Sequence, residues 1–265
     1  MSLRFLILIF TVAGLAGTVT AQTPDEIETM LVGYHLELQK ASSYGGSQDY
    51  DAQTELNKRI RESLLKFGSR SDVLDHPFPK LSDLMFVTTS RDGRLRTYSW
   101  DTESGGSMHD FITVYQYRTR DGKVNVWAQP LSDDISEFGA GAFVHQIFQT
   151  ETKKGTLYLV ISTFIGSTSL AAQTLDVVRI NGGKLNKEVR VIRTQSGLKG
   201  SVGFEYDFFS VVDRPERPIK LFEFNEERKE FRFPVVIEDE KTPQGRVTDR
   251  FITYRFNGRY FVKVK

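Results

Sequence analysis

The chain has 265 residues, with 35 Lys and Arg against 34 Asp and Glu, and no cysteine. A formal net charge of +1 argues against a polyanion binder, so no nucleic-acid partner is expected. The lack of thiols excludes disulfides, zinc–thiolate sites, iron–sulfur clusters and a cysteine nucleophile, while 20 Phe, 10 Tyr and 2 Trp supply a sizeable core.

Arg4 precedes an apolar run from Phe5 to Gly17, too short for the roughly 20 residues of a membrane-spanning helix. Val19, Thr20 and Ala21 then offer the small residues that signal peptidase reads. The pattern predicts a signal peptide over residues 1–21, cleaved after Ala21. No later apolar run has membrane length, so the mature chain is expected to carry no transmembrane segment and to be periplasmic or secreted.

Residues 22–80 read as a helical hairpin and linker. Thr23, Pro24, Asp25 and Glu26 have the chemistry of a helix start, with Thr23 and Glu26 forming a capping box. Ile27, Leu31, Tyr34, Leu38 and Ala41 continue it as one apolar stripe. Ser42 to Ser47 breaks the pattern. A second helix is expected from about Gln48 to Phe67, with Leu56, Ile60, Leu64 and Phe67 on one face and Gly68 as its C′ residue.

Residues 81–265 change to period two and read as an antiparallel all-β domain. About thirteen strand-like runs lie between Leu84 and Val264. Turn signatures separate many of them: SRDGR, TRDGK, TKKGT, INGGK, FNEERKE and FNGR. The expected fold is mainly β: an antiparallel hairpin meander, as a sandwich or open propeller-like sheets, with an N-terminal helical hairpin. Charged residues within the strands argue against a lipid-facing barrel. Pro234 points to an edge strand or bulge. DRPERP, from Asp213 to Pro218, reads as a rigid, charged connector.

The stretch from Thr97 to Phe111 is the most unusual. Its Asp101, Glu103, His109 and Asp110 surround a flexible Ser-Gly-Gly-Ser. Asp101 and Glu103 stand at calcium-loop spacing, although Gly105 and Ile112 replace two expected ligands. Glu103, His109 and Asp110 are the residue types of an acid/base site. A plain hairpin loop with carboxylates capping free amides is the simpler reading. Tyr98, Trp100 and Trp127 form a ligand-binding platform if they face solvent, and core if they face the helices. His35 and His76 suggest no catalysis. The signatures of serine hydrolases, P-loops, dinucleotide sites and HExxH metalloproteases are absent.

These readings favour an exported, non-enzymatic binding protein whose partner is an unknown protein or glycan of the cell envelope. The alternative is an exported hydrolase with its site in the 100–110 loop, with calcium as a possible cofactor.

Overall fold

A computed structural model describes residues 21–42, 48–128, 141–240 and 242–264. The expected leader through Thr20 and residues 43–47 and 129–140 lie outside the described residues.

Helix α1 (Pro24–Ala41) starts as its sequence dictates: Thr23 accepts from the Glu26 amide, and the Glu26 carboxylate accepts from the Thr23 amide. Helix α2 (Tyr50–Phe67) is capped by Asp49, which accepts from the Ala52 amide at 2.9 Å. Gly68 departs from expectation. It ends α2 in right-handed geometry, with φ −69°, so a left-handed backbone is not why glycine stands there. The reason is space: a Cβ at Gly68 would meet the Leu64 carbonyl oxygen and Val126 Cγ1 at 2.4 Å. A single helical turn, α3 (Ser71–Asp75), and a 3₁₀ turn at Leu81–Asp83 lead into the strands.

Fifteen strands follow among the described residues. They are β1 (Phe86–Thr89), β2 (Leu95–Asp101), β3 (Phe111–Arg118), β4 (Val124–Ala128), β5 (Phe143–Thr150), β6 (Leu157–Ile165), β7 (Leu170–Asn181) and β8 (Lys184–Asn186). Then come β9 (Ile192–Thr194), β10 (Gly197–Lys199), β11 (Ser201–Asp207), β12 (Glu223–Asn225), β13 (Glu230–Asp239), β14 (Thr242–Phe256) and β15 (Phe261–Lys263). They form three sheets with strand orders β1-β2-β3-β4, β11-β7-β6-β5 and β10-β9-β15-β14-β13-β12. All six turn signatures join neighbouring antiparallel strands. In the FNEERKE turn Lys229 takes the positive φ, +52°, that glycine supplies in the others. Pro234 sits beside a register shift in β13, where the ladder can spare its missing donor. One pairing was not foreseen: β15 lies parallel to β9.

The layers follow from the alternation of side chains. Directly paired residues share a face, so Tyr98 with Val114 and Trp100 with Ile112 face one way. They pack under Ile27, Leu31, Leu38, Leu56, Ile60 and Leu64 of the two helices. Residues on both sides of position 80 therefore share one core. Leu95, Tyr115 and Tyr117 face the other way, against Val144, Tyr158, Val160 and Val178 of the second sheet. The far face of that sheet, with Leu159, Ile161, Leu175 and Val177, meets Phe231, Phe233, Tyr254 and Phe261 of the third. The stack is thus helices, sheet, sheet, sheet. Each fully buried Leu, Ile, Val or Phe contributes about 1.5–3 kcal/mol. Among the described residues no helix is long and apolar enough to cross a membrane.

Candidate functional site

The 101–110 loop closes the β2–β3 hairpin beside the end of α1. The Thr102 amide donates to the Asp110 carbonyl at 2.8 Å, continuing the ladder into the loop. The Asn57 side chain of α2 donates to the Thr102 carbonyl at 2.9 Å. A Cβ on Gly105 would lie 2.1 Å from the Met108 carbonyl oxygen, so the loop doubles back tightly there.

Hairpin register decides which acid meets His109. Asp101 lies opposite Phe111, close to position 109 across the hairpin, and its Oδ2 is 2.5 Å from His109 Nδ1. Asp110, next to His109 in sequence, turns elsewhere. It accepts from the Gly141 amide at 2.6 Å and from the Thr102 hydroxyl at 3.4 Å. Of the expected acids, the one hydrogen-bonded to His109 is Asp101, while Asp110 turns away. Glu103 has φ +59° and accepts from the Ser42 hydroxyl at 2.7 Å. Burial holds the Glu103 carboxyl above the usual carboxylate range. The charge of Asp101 adds to that shift, while Ser42 and His109 oppose it.

The loop's carboxylates are turned to protein donors. Asp101 serves His109 and the Glu103 amide, and Asp110 serves Gly141 and Thr102. As calcium ligands Asp101 and Glu103 would have to give up these partners. Behind them, His35 of α1 is 2% exposed, and neither ring nitrogen has a hydrogen-bond partner among the described residues. Burial lowers its pKa to about 4, opposed by its backbone contact and, less, by the charge of Asp101.

The aromatic platform is not built. Tyr98 and Trp100 are 1% and 0% exposed beneath the helices. Their polar atoms are engaged there, Tyr98 donating to Gln116 and Trp100 to Asn57, each at 2.8 Å. Trp127 pairs with Tyr115 and lies on the opposite face. That ring is covered by the chain's own Lys187, whose ammonium sits 3.8 Å from its centroid and 4.6 Å from that of Tyr115. Burial lowers the Lys187 pKa and raises that of nearby Asp176, each charge opposing the other's shift.

A groove of about 700 Å³ lies farther along the same face of β7. Its floor is made by Ala172 and Thr174, paired with Glu205 and Gly203 of β11. Its wall is the tip of the β13–β14 hairpin, with Val236, Glu238, Pro243 and Gln244. Gly203 keeps the floor flat, because a Cβ there would meet Thr174 Oγ1 and the Gln173 carbonyl at 2.8 Å. The lining thus mixes two carboxylates, an amide and a hydroxyl with the apolar side chains of Leu170, Ala172, Phe204, Val236 and Pro243.

No protein family, curated protein or solved structure matches the chain. The groove was not anticipated from sequence. Its residues come from four strands and share no motif; the only local hint is a glycine in the middle of β11, where close backbone approach is one reading.

Proposed function

We propose that this chain is an exported binding protein that holds an extended, hydroxyl-rich ligand, a glycan of the cell envelope, in the groove across β7 and β11. The observation that carries the reading is the groove itself. Its size suits several linked rings, and Glu205, Glu238, Gln244 and Thr174 offer acceptors and donors beside Ala172, Phe204 and Pro243. The 101–110 loop supports a non-enzymatic reading, because Asp101 and Asp110 already brace the hairpin. Export rests on the pattern of the first 21 residues. Amino-terminal sequencing of the protein recovered outside the cytoplasm should begin at Gln22.

A thermal-shift panel of soluble cell-wall and polysaccharide fragments tests the binding reading. A fragment present at a hundred times its Kd adds about 2.7 kcal/mol, a rise of several degrees in Tm. Glu205→Gln combined with Glu238→Gln keeps the shape, removes both carboxylates and should abolish the rise. A panel in which no fragment moves Tm, or in which the double variant responds like the parent, refutes it.

A further inference from the structure

We infer that Asp25, Glu28 and His76 form a binding site for one divalent transition-metal ion of the zinc class. The site lies between the first turns of α1 and the segment that follows α3, away from both the groove and the 101–110 loop. Each of the three residues offers one donor atom, and these atoms all lie within 4.8 Å of one another.

Glu28 anchors the arrangement. It is 2% exposed, and its Oε1 accepts from the backbone amides of Lys80 and Leu81 at 2.8 and 3.0 Å. Those two bonds fix the carboxylate plane and aim Oε2 at His76. The contact there is a long hydrogen bond and ion pair. The separation from His76 Nε2 is 3.4 Å, beyond the usual range of about 2.7–3.2 Å and far from the short contact expected of a charged pair. Two ligands each bound at about 2.0–2.1 Å to a tetrahedral ion are separated by about 3.3–3.4 Å. A buried carboxylate oxygen facing an imidazole nitrogen at that distance has the spacing of a ligand pair.

The His76 ring packs edge-on against Phe78 at 4.7 Å, and its carbonyl accepts from Arg96 at 2.6 Å. Phe78 packing fixes the ring, and Arg96 fixes the backbone that carries it. Asp25 Oδ1 lies 3.9 Å from the same nitrogen on a side chain 86% exposed, which gives an entry path from solvent. Two carboxylates balance a 2+ charge and outweigh the partial positive charge of the α1 start. One nitrogen with two oxygens suits zinc, cobalt or manganese and disfavours calcium and magnesium, which take oxygen ligands. Water completes the coordination. The bound ion would tie α1 to the chain entering the first sheet.

The test uses the purified full chain, stripped with chelator, and two probes. Zinc is titrated calorimetrically, and cobalt(II) is followed by its visible absorption. The expected result is one ion per chain, a cobalt spectrum of nitrogen–oxygen type that zinc displaces, and a higher Tm with zinc. Asp25→Asn and His76→Gln should each weaken binding at least tenfold and remove the Tm rise. Asp25 is at the surface, so its variant folds normally and keeps the test interpretable if His76→Gln lowers stability by itself. Absence of saturable binding at about 1 mM zinc, or unchanged affinity in both variants, overturns the inference.

Discussion

Asn57 shows how much one buried side chain can organise. It is 8% exposed and makes three hydrogen bonds: it accepts from Trp100 and donates to the carbonyls of Thr102 and Gln53. It thereby clamps α2 to the base of the 101–110 loop. Asn57→Ala leaves the indole N–H and the Thr102 carbonyl without partners in a buried place, and should cost about 2–4 kcal/mol in urea unfolding. Nothing in the sequence singled out Asn57, because its partners lie 43 and 45 positions away. The loop it supports was legible as a polar hairpin loop, since glycine and carboxylates between two strands are a local signal. The choice of Asp101 over Asp110 by His109 was not, because it depends on hairpin register. Tyr98 and Trp100 were similarly legible as one face of a strand. Only packing decides that the helices cover that face.

Helix caps and tight turns were the most readable parts, because their causes lie within a few residues. The Thr23–Glu26 box and the six turn signatures have that local origin. Gly68 was read by the same local logic and had another cause. Its helical φ alone would make Gly68→Ala favourable by roughly 0.5–1 kcal/mol. Contact with the Leu64 carbonyl and Val126 reverses the sign. Gly68→Ala should lower stability by about 1–3 kcal/mol in guanidinium unfolding, and Val126→Ala in the same chain should restore part of the loss. How the sheets stack was not readable. Strand alternation tells that two faces exist, and both faces of the first two sheets are buried here.

The assembled stack also sets a response to acid. Burial lowers the pKa of His35 and His145 to about 4, with Lys220 adding to the shift at His145. Both histidines titrate near 6.5 when unfolded, so between these values the unfolded chain binds more protons. Stability is full above pH 6.5 and falls as the pH drops towards 4, by about 2 kcal/mol per histidine at pH 5. Glu103 and Asp176, whose carboxyls burial raises, act in the opposite sense and offset part of the fall. Urea unfolding at pH 7 and pH 5 measures the net effect, and His35→Leu should make the loss visibly smaller. The third sheet imposes a different constraint, one of timing. Strand β15 is wedged between β14 and β9, with Phe261 wholly buried. A chain delivered in order from its amino terminus, by a ribosome or through a pore, holds β9 unpaired on that side until residue 261 arrives. The helical layer and first sheet can close early, while the outermost sheet remains in two halves. A holding chaperone would find its exposed edge at β9, and only during that interval.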